Sequence, residues 1–338
     1  MLRCTAISLL LLLIVISLAG SAKAADSVLL AINEFMASNG NCVKDPQGQY
    51  DDWIEIHNYG NEAIDAGGMY LTDNLSAPTK WQIPTNNPSA TTVPAGGYLL
   101  IWADNDTTDA GLHANFKLDA DGEEIGLFDS DGITLIDSIA FGTQTTDISF
   151  GRYPDAGESW RLFTSPSPAA QNEGGYSGKV ADTKFSHNRG FYDEPFYLTI
   201  ATETEGAVIY YTLDGSNPYD ISGRASGGMI YNRPITINST TCLRAVAVKP
   251  GWMPSNVDTH TYIFLDDVIR QPARPAGFPA SWGSRNADYA MDPDVVNDPA
   301  YSDEIKDDLL STPSVCIVIP NEDFFGSEGI YANSSQYV

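Results

Sequence analysis

Apolar residues in this chain recur at every second position in short runs, and Gly, Pro, Asn and Asp separate the runs. A period of two puts all the apolar side chains of a run on one face of an extended strand, whereas a helix needs a period near 3.6. No helical pattern develops before residue 302. Short alternating runs of this kind predict β-sandwiches or barrels. "SVLLAINEF", "DDWIEIHN", "GGMYLTD", "GGYLLIWAD", "EEIGLFDS" and "ITLIDSIAFG" each read as a strand, with "DSDG" (129–132) as the hairpin turn between the last two. A second block, 185–264, reads likewise through "FYLTIAT", "AVIYYTLDG", "PITINS", "TCLRAVAVKPG" and "HTYIFLDD". Its length and turn spacing suit one immunoglobulin-like or fibronectin-like sandwich.

Between the blocks, "SPSPAAQNEGGYSGK" (165–179) has the composition of a linker. After them, the proline-rich, aperiodic stretch 270–300 reads as a linker or an irregular wrap. "SDEIKDDLL" (302–310) predicts a short helix with Ser302 as N-cap, and "SVCIVIP" (314–320) a buried strand. Helix followed by strand is a new theme, the start of a further, incomplete α/β region. The expected organisation is a signal peptide over 1–24, a first sandwich over 25–172, a linker over 173–183, a second sandwich over 184–265, a Pro-rich linker over 266–301 and the incomplete region over 302–338.

The signal peptide rests on Arg3, the apolar run Ile7–Leu18 and the small residues Ala22 and Ala24 before the cleavage point. As a helix that run reaches about 18 Å, short of a hydrocarbon core of about 30 Å. Secretion or display at the cell surface is expected, with no membrane span in the mature chain. Removing Arg3 and Lys23 leaves 16 basic residues against 44 acidic ones, a net charge of −28. Such a surface repels nucleic acid, which is excluded as a partner. Cys42, Cys242 and Cys316 remain after cleavage, an odd and scattered set that is no disulfide framework.

"DDWIEIHNYG" (51–60) poses the chemical question, because it concentrates Asp, Glu, His and Trp, the residues of glycosidase clefts and metal sites. As a strand, it puts Ile54 and Ile56 on one face and Trp53, Glu55 and His57 on the other. The first face is the core, and the polar face needs no catalytic explanation, since one face of an antiparallel sheet commonly meets water. A glycosidase pair such as Glu55 with Glu34 needs carboxyls about 5–10 Å apart in a cleft. A zinc site needs closely spaced His or Cys ligands, and His57, His113, His187 and His260 are each more than fifty residues apart. The strand reading is preferred. No Gly-x-Ser-x-Gly, Walker, dinucleotide, His-Glu-x-x-His or Cys-x-x-Cys motif occurs. No catalytic, cofactor-binding or metal residue is assigned.

"DADGEE" (119–124) and "DSDG" suggest calcium, the one cofactor considered. The EF-hand register fails at both: Lys117 and Phe128, or Leu127 and Ser138, would occupy its terminal positions. Asx-turn chemistry explains these aspartates better, and "TLDGSNPYD" (212–220) reads as a turn set by Gly215 and Pro218. Trp81, Trp102, Trp160, Trp252, Tyr59 and Tyr70 are candidates for a sugar-stacking platform, against the alternative that most pack in or beside the cores.

Taken in order, "AINEFMASN", "DDWIEIHNYGNEAIDAGGMYLTDN", "VPAGGYLLIWAD", "LHANFKLDADGEEIGLFDSDG" and "SFGRYPDAGESWRLFTSPSPAAQN" resemble the bacterial lamin-tail domain over about 26–172. The resemblance implies an immunoglobulin-like sandwich without enzymatic role. Ala66 stands where the family often has a larger apolar residue, and "SPSPAAQN" varies the usual ending. "FSHNRGFYDEPFYLTIATETEGAVIYYTLDGSNP" and "YNRPITINSTTCLRAVAVKPGWMPSNVDTHTYIF" are similar to the chitobiase C-terminal-type module, a fibronectin-like accessory domain, with Cys242 where a threonine is usual. "DPDVVNDPAYSDEIKDDLLSTPSVCIVIPNEDFFGSEGIYANS" looks like the opening of the spore-coat-protein-H kinase-like family, whose nucleotide and metal residues would lie past Val338. Three functions follow as expectations. The first is a non-catalytic exported modular protein, a binding, adhesion or spacer unit whose partner is a surface polysaccharide or an extracellular protein. The second is the front of a larger secreted enzyme with a kinase-like domain. The third is a calcium-dependent carbohydrate binder.

Overall fold

The alternating runs become strands because extended backbone is the one conformation that puts their apolar positions on a common face. The computed structural model describes residues 28–220, 227–282 and 285–331. The predicted signal peptide lies outside the described residues. The chain divides into two compact units, one of residues up to 147 together with 167–171, the other of 148–166 together with 172 onward.

In the first unit, β1 (Leu30–Met36) runs antiparallel to β2 (Trp53–Asn58). β2 pairs on its other side with β3 (Tyr98–Ala103), which takes up the short parallel strand β4 (His113–Ala114). A second sheet carries Leu135–Ala140, Glu124–Phe128, Tyr70–Thr72 and Trp81–Gln82 side by side in that order. All six predicted runs are strands. Ile32, Phe35, Ile54, Ile56, Leu71, Ile83, Ile101, Ile125 and Leu127 are fully buried. Burying each such side chain stabilises the fold by about 1.5–3 kcal/mol. The alternation in β2 fails in one respect: Trp53, Glu55 and His57, expected to face water, are buried as well. Both faces of β1 and β2 are covered, the outer one in part by residues 167–171, described below.

The second unit contains a hairpin of Ser149–Arg152 and Trp160–Phe163 and a five-stranded sheet. That sheet runs Gly190–Phe191, Asp258–Ile263, Thr241–Val248, Val208–Thr212, Met229–Ile230. Phe196–Leu198 pairs with Ile235–Ile237. Period two holds here: Leu243, Ala245 and Ala247 of one strand and Ile235 and Ile237 of another enter the core with Leu198, Ile209 and Tyr262. Residues 173–183, read from composition as a linker, are packed. Val180 belongs to that core, and Tyr176 exchanges both backbone bonds with Leu162. Linker composition here reflects tight turns rather than freedom.

The 302–320 stretch differs from expectation. The helix spans Ile305–Ser311, not 302–310, and Ser302 does not cap it. The Ser302 amide instead bonds Asp298 O within a preceding turn. Residues 314–320 form no strand, and Val315 and Ile317 are 84% and 73% exposed. The apolar run is there, but no sheet edge of this unit receives it.

Candidate functional site

Register decides the fate of the acidic residues. Glu34 stands directly opposite Glu55 across β1 and β2, just after a bulge that shifts the pairing between Ile32 and Glu34. Opposed residues of an antiparallel pair share a face, so the two carboxylates are neighbours. Both are fully buried. Asn33, the residue the bulge frees, donates its side-chain amide to Glu55 Oε1 at 3.0 Å. The Ala169 amide donates to Glu55 Oε2 at 2.6 Å. The Ser167 amide donates to both Glu34 oxygens at 3.3 Å, and its hydroxyl to Oε2 at 3.2 Å. Pro168, which has no N–H, separates the two donors, and the turn of 167–170, closed by the Ala170 amide on Ser167 O, brings the amides on either side of it to the two acids. Ala169 takes φ 61°, a left-handed conformation unusual for a residue with a Cβ.

This arrangement answers the question posed by the sequence. A glycosidase needs its carboxyls open to a sugar and a water. Here the donors of 167–169 occupy the places a substrate would need. Buried carboxylates demand such donors, because an unpaired one is costly to desolvate. The pair is a clasp that holds the 167–171 segment on the sheet.

A second acidic group lies around the far end of β2. His113 Nδ1 and Asp104 Oδ2 are 2.6 Å apart, with both side chains buried. Burial raises the carboxyl of Asp52 to about 6, partly offset by the Asn39 amide that bonds it. Burial also raises Asp51, with the nearby Asp104 and Asp45 adding to the shift. Further along, burial raises Glu123 to about 7 against the bond it accepts from the Asp119 amide. Local spacing gave no sign of the Asp104–His113 pair. It arises because β4 joins β3 in parallel, with Trp102 opposite His113. Among the described residues, no group of three or more His, Cys, Asp or Glu side chains is placed to hold a metal ion.

The aspartate loops are turns. Asp131 Oδ1 accepts from the amides of Ile133 and Thr134 at 2.8 Å each, and the Thr134 hydroxyl, the largest influence, holds its carboxyl low. Asp119 Oδ1 accepts from the Asp121 amide, and Asp214 Oδ1 from the amide and hydroxyl of Ser216. Gly132 and Gly215 supply the positive φ, 68° and 78°, that these turns require. The aromatic candidates serve separate places. Trp81 and Trp102 are buried, Trp160 stacks on Phe150 beneath the Arg152 guanidinium, and Trp252 is half-buried against the second core. Tyr59 is exposed and Tyr70 half-buried.

Comparison with known proteins fits these two sets of sheets. No curated protein and no solved structure matches the chain. Residues 23–143 match the family model of the Lamin Tail Domain, and residues 187–259 match that of the Chitobiase/beta-hexosaminidase C-terminal domain, so the chain carries two immunoglobulin-like regions similar to these families.

Proposed function

We propose that the chain is an exported, non-catalytic modular protein whose two sandwiches act as binding, adhesion or spacer units toward a surface polysaccharide or another extracellular protein. The observation that carries this reading is the clasp: the best-placed carboxylate pair, Glu34 and Glu55, is buried and bonded to residues 167–169. Two immunoglobulin-like regions in tandem fit a modular protein of this kind. The strongly acidic surface supports an extracellular setting, where net charge maintains solubility. The test is retention of the chain from residue 25 on immobilised polysaccharides and on an extracellular protein extract, beside a glycosidase screen on the same sugars. Retention without turnover is the expected result. Sugar cleavage that disappears in Glu55→Gln would reject the reading.

A second reading makes this the front of a larger secreted enzyme with a kinase-like domain. It is favoured by the exposed apolar side chains Leu310, Val315, Ile317, Ile330 and Tyr331, which a further folded domain would cover. Sequencing the gene on the 3′ side of codon 338 tests it. A continuing frame encoding a kinase-like domain supports the reading, and an immediate stop rejects it.

A further inference from the structure

Cys242 and Cys316 are far apart in the sequence, but in the second unit Cys316 lines a groove together with Thr261, the strand partner of Cys242. Cys242 stands opposite Thr261 in the register of Thr241–Val248 with Asp258–Ile263, and the Thr261 hydroxyl lies 4.0 Å from its sulfur. Opposed residues project on the same face, so the thiol and Thr261 point the same way. Thr261 lines a groove whose other wall is Ser314, Val315, Cys316 and Val318. Gly215 closes the approach from a third direction. A Cβ placed on it would lie 3.1 Å from the Cys242 sulfur and 3.4 Å from Val318 Cγ1. Val318 and the Cys242 sulfur therefore meet at the same glycine, with Cys316 next but one along the chain. The two thiols are close enough for charge on Cys316 to disfavour ionisation of Cys242, which burial already opposes.

The segment carrying Cys316 is free to adjust. Among the described residues, the backbone amides of 314–319 have no hydrogen-bond partner, and Cys316 is exposed while Cys242 is partly buried. A disulfide needs the two Cα atoms within roughly 4.4–6.8 Å of each other, and an unpaired extended segment can meet that requirement by sliding, which a paired strand cannot.

We propose that Cys242 and Cys316 form a disulfide that latches residues 314–318 onto the outer face of the second sandwich. The step is thiol–disulfide exchange with an oxidised low-molecular-weight disulfide. The exposed Cys316 thiolate attacks one sulfur of that disulfide and releases one thiolate. The Cys242 thiolate then attacks the Cys316 sulfur of the mixed disulfide and releases the second. The protein loses two protons and two electrons, and the oxidant becomes two thiols. Cys42 is exposed in the first unit and takes no part.

The test is cysteine mapping of the folded chain from residue 25, which carries Cys42, Cys242 and Cys316, after equilibration in an oxidised-glutathione buffer, followed by alkylation, digestion without reductant and mass spectrometry. The expected result is a linked peptide pair containing Cys242 and Cys316, with Cys42 as the one alkylated cysteine. Cys42→Ser keeps the link. Cys316→Ser abolishes it and makes Cys242 alkylatable. Chymotryptic cleavage at Phe324 and Phe325 is slower in the oxidised chain than in the same chain after reduction. Three alkylated cysteines, or a link to Cys42, in a chain whose circular dichroism remains that of a folded β protein would overturn the proposal.

Discussion

Glu34 and Glu55 face each other across two paired strands, and each is bonded by an amide from the same short segment, Ser167 for one and Ala169 for the other. Two acids side by side repel, so the pairing persists because the donors of 167–169 and the Asn33 side chain share the charge between them.

Removing one acid tests the clasp. Glu55→Ala removes the carboxylate to which the Ala169 amide and the Asn33 side chain donate, and is expected to destabilise the first unit by about 3 kcal/mol. Glu55→Gln, which keeps an acceptor oxygen, is expected to cost about 1 kcal/mol. Urea unfolding followed by tryptophan fluorescence reports both. Equal stability of the alanine variant and the parent would show that the segment is held by other contacts.

Ala169 offers a test of opposite sign. Its φ of 61° suits glycine, so Ala169→Gly is expected to gain about 0.5–1 kcal/mol. Ala169→Pro removes the N–H that Glu55 accepts and cannot adopt a positive φ, so it is expected to lower Tm strongly. Thermal melts of the two variants decide the matter; the same direction of change in both would contradict the geometry.

The buried Asp104–His113 pair is expected to be intolerant of half-removal. His113→Ala leaves the buried Asp104 carboxylate without its histidine, with the Asp106 amide still bonded to Oδ1, at a cost of about 3 kcal/mol. A double variant, His113→Phe with Asp104→Leu, is expected to recover much of that loss, because two apolar groups need no partner. A double-mutant cycle in denaturant measures the coupling.

The raised carboxyls fix a direction with pH. Asp52 rises from 3.8 to about 6, and Glu123 from 4.5 to about 7, both through burial. A group raised on folding binds protons more tightly in the folded state, so its contribution is fully present below the unfolded value. It is lost as pH climbs through the folded value. Asp52→Asn and Glu123→Gln, uncharged throughout, are therefore expected to gain stability relative to the parent between those limits. A parent–variant difference that stays flat from acid to neutral pH would contradict the burial of these two groups.

For the aspartate loops, Asp131→Ala is expected to lower Tm slightly through loss of its turn bonds. The decrease is expected to be the same with and without millimolar calcium. A calcium-dependent rise in Tm of the parent that disappears in this variant would reassign the loop as a cation site.

Strands were legible because burial imposes a period of two, and that period was visible in "TCLRAVAV" and "PITINS". The same reasoning failed on the outer face of "WIEIHN". Polar residues there signal water only when nothing covers the sheet, and the cover is a segment more than a hundred residues later. Its Pro, Ser and Ala composition gave the appearance of a linker, since the donors that bind it are backbone amides, which leave no mark in side-chain composition. The turn aspartates were readable because an Asx turn is local. The Asp104–His113 and Cys242–Cys316 neighbourhoods depend on strand order and on a tail laid across a sheet, neither of which is encoded in spacing.

The distance in sequence between the acids and their donors has a consequence for biogenesis. Ala169 lies 114 positions after Glu55. At a synthesis rate of about 5–20 residues per second, Glu55 waits roughly 6–23 s before that donor is made, and Glu34 somewhat longer for Ser167. Until then β1 and β2 present a charged, uncovered face, which discourages premature association with other nascent chains. The clasp of the first unit is thus completed only when residues 167–169 leave the ribosome, and a stall between residues 140 and 167 would leave the strands up to Ala140 made and the clasp missing.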